Sequence, residues 1–145
     1  MSDSQDPNNQ EEKIREIVEN IVRNELKKDS QKKYPQELDP SEQQAAVDCT
    51  NAHNIALQTF HYCEAMGGNF SDPENLNVLQ DCADLCELMD SFILRQSRLK
   101  ADLSELCFRA CDSAVKLAEK FSSDDQMKIL FQYAKVASES VKKVK

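Results

Sequence analysis

The residues of this chain best suited to chemistry are its six cysteines. Four of them form two pairs with one spacing, Cys82 with Cys86 and Cys107 with Cys111. Residues four apart in a helix lie on the same face, one turn from each other. If two consecutive helices turn these faces toward a common core, four thiolates surround a small volume. That arrangement favours a soft metal ion such as Cu(I).

Two further cysteines and one histidine extend the candidate ligand set. Cys49 and Cys63 are 14 residues apart, close to four helical turns, so they share a face, and His53 follows Cys49 by one turn on that face. His61 points elsewhere and is expected to lie outside the group. The candidate metal ligands are therefore Cys82, Cys86, Cys107 and Cys111, extended by Cys49, Cys63 and His53.

Three other interpretations of the cysteines compete with Cu(I). Zinc held by four thiolates is the main competing metal. Buried cysteines also act as small hydrophobic residues, in which case the chain binds no metal. Catalysis is not expected, because a Cys49–His53 pair lacks a visible oxyanion donor and no Glu-x-x-His motif for a di-iron centre occurs.

The glycine content indicates which fold positions these residues. The 145 residues include only two glycines, adjacent at 67 and 68, and no glycine or proline follows Pro73. Folds built on sheets use many turns that need glycine, so the composition predicts an all-α protein. No apolar run approaches the ~18 residues of a membrane-spanning helix. The net charge of −8 disfavours nucleic acid as a partner.

The helix signals place four helices within residues 39–145. Asp39-Pro40 starts one of them, with Glu42 completing a pattern like a capping box, and Gly67-Gly68 ends it. Asp72-Pro73 starts the next, which breaks near residues 96–98, and a further helix runs to about Phe121. Ser122-Ser123 is expected to cap the last. Short connections make neighbouring helices antiparallel, so we predict an antiparallel four-helix bundle.

The N-terminal 38 residues are predicted to contain an additional amphipathic helix. Residues 1–10 are polar and expected to be disordered, residues 11–28 carry apolar side chains on one helical face, and residues 29–38 form a linker. This helix either covers the bundle or mediates self-association into a homo-oligomer, and the pattern does not choose between them. The polar N-terminus carries no secretory signal, so we expect a cytoplasmic protein with reduced thiols.

Several segments resemble the bacterial cysteine-rich four-helix-bundle proteins called copper storage proteins. The similar segments are HYCEAMGG at 61–68, LQDCADLC at 79–86 and FILRQS at 92–97, in that order, and the resemblance spans about residues 42–121. It implies a four-helix bundle, often assembled into tetramers, whose core thiolates bind many Cu(I) ions.

The chain departs from that family in the number of its thiols. Ser104, Ala114 and Ala118 stand where the resemblance implies further cysteines, Asn75 stands where a histidine is often found, and the last helix has no cysteine. We therefore expect a metal-binding bundle of reduced capacity, holding one to a few Cu(I) ions. The alternative is a metal-free scaffold or protein-interaction module derived from the same fold.

Overall fold

The computed structural model describes the backbone of residues 7–33 and 38–145, and side chains within residues 10–23 and 38–145. These residues form α1 (Pro7–Lys33), α2 (Pro40–Met66), α3 (Pro73–Leu94), α4 (Lys100–Lys120) and α5 (Asp125–Val141), with a short 3-10 helix at Gly68–Ser71 between α2 and α3. No strand occurs in the part of the chain that is described. The all-α prediction is confirmed.

The chain divides into two units between residues 37 and 38. The first unit contains α1, which begins earlier and ends later than the predicted helix over 11–28. Proline suits the first position of a helix, and no proline or glycine interrupts the sequence from Asn8 to Lys33. Residues 7–10, expected to be disordered, and residues 29–33, expected to belong to a linker, are thus helical. The expectations for residues 1–6 and 34–37 lie outside the described residues.

The second unit is a bundle of α2, α3, α4 and α5. Each helix packs against two others. Helices α2 and α4 each contact both α3 and α5. The helices therefore follow one another around the core in chain order, as short connections between antiparallel neighbours require. None of the helices that the structure describes has an apolar stretch long enough to cross a lipid bilayer.

Most of the predicted helix ends occur where the sequence signals stand. The side chain of Asp39 accepts a hydrogen bond from the backbone of Ser41, and Asp72 accepts one from Glu74. Helix α2 ends at Gly67, whose φ of 70° is the left-handed conformation that favours glycine. These contacts satisfy backbone groups that would otherwise lack partners at the helix ends.

Two predicted caps are wrong in detail. Helix α5 is capped by Asp124, whose carboxylate accepts from the backbone of Met127, and not by the two serines at 122 and 123. The carboxylate of Glu42 does not return to the start of its own helix. It pairs instead with the Nζ of Lys100, 2.6 Å away, because this cation lies at the start of α4 beside it.

Small side chains dominate the bundle core. Fully buried alanines stand on every helix of the bundle, including Ala45, Ala56, Ala83, Ala114 and Ala134. Larger aliphatic residues such as Leu79, Ile93 and Leu130 are buried too and complete one continuous core. Because alanine occupies little space, the helices leave room near their centre for the cysteine sulfurs.

Candidate metal centre

Five of the six cysteines converge at the middle of the bundle from three helices. Helix α2 supplies Cys49, α3 supplies Cys82 and Cys86, and α4 supplies Cys107 and Cys111. Each of the five is fully buried, and none forms a disulfide. A buried group of five reduced thiols is therefore the main chemical feature of the core. We call these five residues the thiol cluster.

The thiol cluster consists of two groups of three sulfurs. Cys49, Cys86 and Cys107 form one group, Cys82, Cys86 and Cys111 form the other, and within each group all sulfurs lie within 4.8 Å of one another. The sulfur of Cys86 belongs to both groups. It lies 3.9 Å from that of Cys107 and 3.5 Å from that of Cys111. One residue of α3 thus connects both groups.

These separations match the size of a metal–thiolate site. Three sulfurs bound at ~2.3 Å around one ion lie about 4.0 Å apart when the site is planar and trigonal. The distances from Cys86 to Cys107 and to Cys111, 3.9 and 3.5 Å, fall near this value. The arrangement can therefore hold a small thiophilic ion in either group after only small side-chain adjustments.

Hydrogen bonding within the thiol cluster favours two thiolates over the others. Hydrogen bonds from Cys111, Cys49 and Cys86 stabilise the thiolate of Cys107 and bring the pKa of this residue far below its usual value. The pKa of Cys82 is also lowered, by hydrogen bonds first from Cys111 and then from Cys86. Each group of three thus contains one cysteine whose pKa is lowered, which favours the thiolate, the form that binds metal ions.

The other three members of the thiol cluster retain their protons more strongly. Hydrogen bonding to Cys107 is the largest cause of the raised pKa values of Cys49, Cys86 and Cys111. Burial raises all three as well, because the apolar core does not solvate a charged sulfur. A metal ion that binds here must therefore displace protons from thiols that are otherwise neutral.

Cys63 is buried but does not belong to either group of sulfurs. It shares a helix face with Cys49, as predicted, but 14 residues at 1.5 Å each separate the two by about 21 Å along the axis. Burial, and then the charge of Asp124, raise the pKa of Cys63 to about 11. The structure therefore places this cysteine near the start of α5, away from the thiol cluster.

His53 is also outside the two groups of sulfurs, although it lies beside them. Its Nδ1 is 2.7 Å from the carbonyl oxygen of Ala83, and its Nε2 is 3.6 Å from a carboxylate oxygen of Glu87. Both ring nitrogens thus face oxygen atoms of α3, and the side chain is 18% exposed. His61 is far more exposed, at 73%, and faces Glu64 on its own helix.

The residues that replace the expected extra ligands lie in the core. Ser104, Ala114 and Ala118 are buried on the same side of α4 as Cys107 and Cys111. The hydroxyl of Ser104 donates to the carbonyl of Ala101 on its own helix, 2.6 Å away. The amide of Asn75 donates to the carbonyl of Asn69 at 3.0 Å. These positions therefore have packing and local hydrogen-bonding roles of their own.

Sequence spacing did not indicate the central position of Cys86. In the sequence the two pairs with four-residue spacing are equivalent, and Cys49 is indicated only as an additional ligand. The sharing of one sulfur depends on the register between α2, α3 and α4. The sequence does indicate which cysteines of the two pairs lie closest. Cys86 is nearer the end of α3 and Cys107 is nearer the start of α4, so the connection between these helices brings the two residues together.

Comparison with known proteins agrees with the thiol-lined bundle. A family model described as copper storage protein matches residues 35–138. None of the curated proteins and none of the solved structures matches the chain significantly. The match covers more than half of the chain and includes every residue of the thiol cluster. The chain belongs to the copper storage protein family.

Proposed function

We propose that this member of the copper storage protein family binds Cu(I) through the thiol cluster, with two ions per chain. One ion lies among Cys49, Cys86 and Cys107, and the other among Cys82, Cys86 and Cys111, so that Cys86 bridges them. The observation that carries this proposal is the presence of two groups of three sulfurs with one member in common. Cys63 and His53 are not ligands of either ion.

The number of sulfurs in each group supports Cu(I) over zinc. Structural zinc sites are almost always tetrahedral, with four protein ligands. Each group here offers three sulfurs, and the nearest nitrogen candidate, His53, directs both ring nitrogens to oxygens of α3. Soft thiolate ligands select Cu(I), which accepts lower coordination numbers than zinc. Zinc would need a fourth ligand that these groups do not contain.

The protein acts in this proposal as a binder and not as an enzyme. The five thiols are fully buried, so a bound ion is shielded from water and from other reactants. Burial of this kind suits retention of an ion rather than reaction with a substrate. Because the free thiols must stay reduced to bind Cu(I), we place the protein in a reducing compartment, the cytoplasm.

Anaerobic titration of the reduced full-length protein with Cu(I), in the presence of a competing chromophoric chelator, tests this function. We expect two Cu(I) ions per chain to be withheld from the chelator. The variant Cys63→Ser should withhold the same number, because Cys63 lies outside the thiol cluster, and serves as a matched control. Absence of any withheld ion, or unchanged binding in a variant with Cys82→Ser and Cys107→Ser, would overturn the proposal.

A metal-free scaffold remains the second candidate function. It is favoured by the buried Ser104, Ala114 and Ala118, which fill the core where further thiols would otherwise line it. In that case the five cysteines serve as small hydrophobic residues, and the titration finds no ion withheld from the chelator. Thermal unfolding then distinguishes the two candidates further, because a bound ion stabilises the folded state and a scaffold gains nothing from Cu(I).

A further inference from the structure

Helix α1 exposes a stripe of aliphatic side chains. Ile14, Ile17, Val18, Ile21 and Val22 are between 51% and 60% exposed. Their spacing of three and four residues places them on one face of the helix. We call these five residues the α1 stripe. A helix with such a face gains most of its stability by burying it against another element, so the α1 stripe is suited to an interface.

The charges of α1 are segregated along its length. Residues 7–19 contain four acids and two bases, whereas residues 20–33 contain five bases and two acids. The first half is therefore net negative and the second half net positive, with the α1 stripe centred near the boundary between them. In an antiparallel pair of such helices, each negative half faces a positive half. A parallel pair would place like charges opposite each other.

We propose that α1 joins two copies of this chain by forming an antiparallel helix pair through the α1 stripe. The occupant is a second copy because one helix already carries both complementary halves, so that it matches itself when reversed. A two-fold axis near residues 18–20 brings the two stripes together and produces an isologous interface. Antiparallel alignment also opposes the two helix dipoles favourably.

The mass of the full-length protein in solution tests the interface. Sedimentation equilibrium of the reduced, metal-free protein should give twice the 16.5 kDa mass of one chain, or a multiple of that dimer. The variant with Ile17→Lys and Ile21→Lys should halve the mass. A matched control with Glu16→Gln and Arg23→Gln changes the opposite face of α1 without changing the net charge, and should keep the wild-type mass.

Charge reversal tests the antiparallel orientation. The variant with Glu11→Lys and Glu12→Lys makes both halves of α1 positive, so we expect weaker association. Adding Lys27→Glu and Lys28→Glu in the same chain restores two opposite halves and should restore the dimer. A monomeric wild-type protein, or an unchanged mass after Ile17→Lys and Ile21→Lys, would overturn the proposal. If the Ile17→Lys and Ile21→Lys variant dissociates but the charge-reversed variant keeps the wild-type mass, the result would contradict the antiparallel arrangement and not the interface itself.

Discussion

The sulfur of Cys86 lies 3.5 Å from the sulfur of Cys111, and this contact joins α3 to α4 in the centre of the bundle. Cys86 also lies 3.9 Å from Cys107, one turn away on the same helix as Cys111. A single residue is therefore in contact with both cysteines of the facing pair. This position gives Cys86 a role that no other member of the thiol cluster has.

Replacement of Cys86 by serine should affect both proposed copper sites. The hydroxyl of serine is a poor ligand for Cu(I), so each group loses one of its three sulfurs. In competition with a chelator that leaves two Cu(I) ions on each wild-type chain, we expect the Cys86→Ser variant to retain fewer than one ion per chain. Cys49→Ser and Cys82→Ser should each lose only one ion, because each residue belongs to a single group. Equal losses in all three variants would contradict a bridging role for Cys86.

The titration of Cys63 should make the stability of the bundle depend on pH. Its pKa is raised from 9.0 to about 11 in the folded protein, so the folded state binds the thiol proton more tightly than the unfolded state does. This contribution to the free energy of unfolding is complete below pH 9 and is lost as the pH rises toward 11. A shift of two pKa units sets an upper limit of about 3 kcal/mol on its size.

Urea denaturation of the wild type and of Cys63→Ala across this pH range measures the effect. The difference in free energy of unfolding between the two proteins should shrink as the pH rises above 9. Cavity and packing effects of the substitution do not depend on pH, so they cancel in the comparison. A difference that stays constant up to pH 11 would show that the pKa of Cys63 is not raised.

The pair between Glu42 and Lys100 should be important for stability, because both side chains are largely buried. Their exposed fractions are 8% and 15%, and the Nζ of Lys100 also donates to the side chain of Gln96 at 2.8 Å. Lys100→Met leaves the Glu42 carboxylate buried without a counter-charge. We expect a loss of about 3 kcal/mol in the free energy of unfolding.

The double variant with Glu42→Gln and Lys100→Met is the matched control for this pair. It removes both charges together, so no buried carboxylate is left without a partner, and most of the stability should return. Chemical denaturation of both variants measures the coupling. Equal destabilisation in the single and double variants would mean that the loss comes from packing of the lysine side chain and not from charge.

The cap of α5 should contribute more to stability than the cap of α3. Asp124 accepts hydrogen bonds from the backbone of Met127 and from the hydroxyl of Tyr62, whereas Asp72 caps α3 through Glu74 alone. Replacement of an N-cap aspartate by alanine costs about 1 kcal/mol. Asp124→Ala should therefore cost clearly more than Asp72→Ala in urea denaturation. Equal costs would show that the bond from Tyr62 adds little.

Helix ends that depend on neighbouring residues could be predicted from the sequence, whereas those that depend on tertiary packing could not. The caps at Asp39 and Asp72 and the stop at Gly67 depend on neighbouring residues only, and all three occur as predicted. The cap of α5 was assigned to the wrong residues because Ser122, Ser123 and Asp124 all favour that position, and the bond from Tyr62 favours Asp124. Local sequence does not contain that long-range contact.

Site residues show the same division. The four-residue spacing correctly placed each cysteine pair on one face, because helix geometry alone determines it. The convergence of Cys49 with Cys86 and Cys107 depends on how far α2 is shifted along α3 and α4. His53 shares the face of Cys49, but its longer side chain reaches the carbonyl of Ala83, 2.7 Å away. The spacing could not predict either outcome.

The buried alanines of α4 offer a gain-of-function test of the proposed copper binding. Ala114 and Ala118 are 0% and 2% exposed, and they are four residues apart, which is the spacing of the natural cysteine pairs. Replacing both with cysteine adds two sulfurs on the face that already carries Cys107 and Cys111. Each substitution adds one atom to the core, so the cost in stability should be small.

We expect the variant with Ala114→Cys and Ala118→Cys to withhold one more Cu(I) ion from the chelator than the wild type does. The matched control places cysteines at Glu105 and Arg109, which are four residues apart on the exposed side of α4. An exposed pair is open to the chelator, so this control should withhold only the wild-type number. If the buried pair adds nothing, burial and four-residue spacing on α4 are not sufficient for Cu(I) binding. The register with α2 and α3, which creates the sharing of Cys86, is then the decisive requirement.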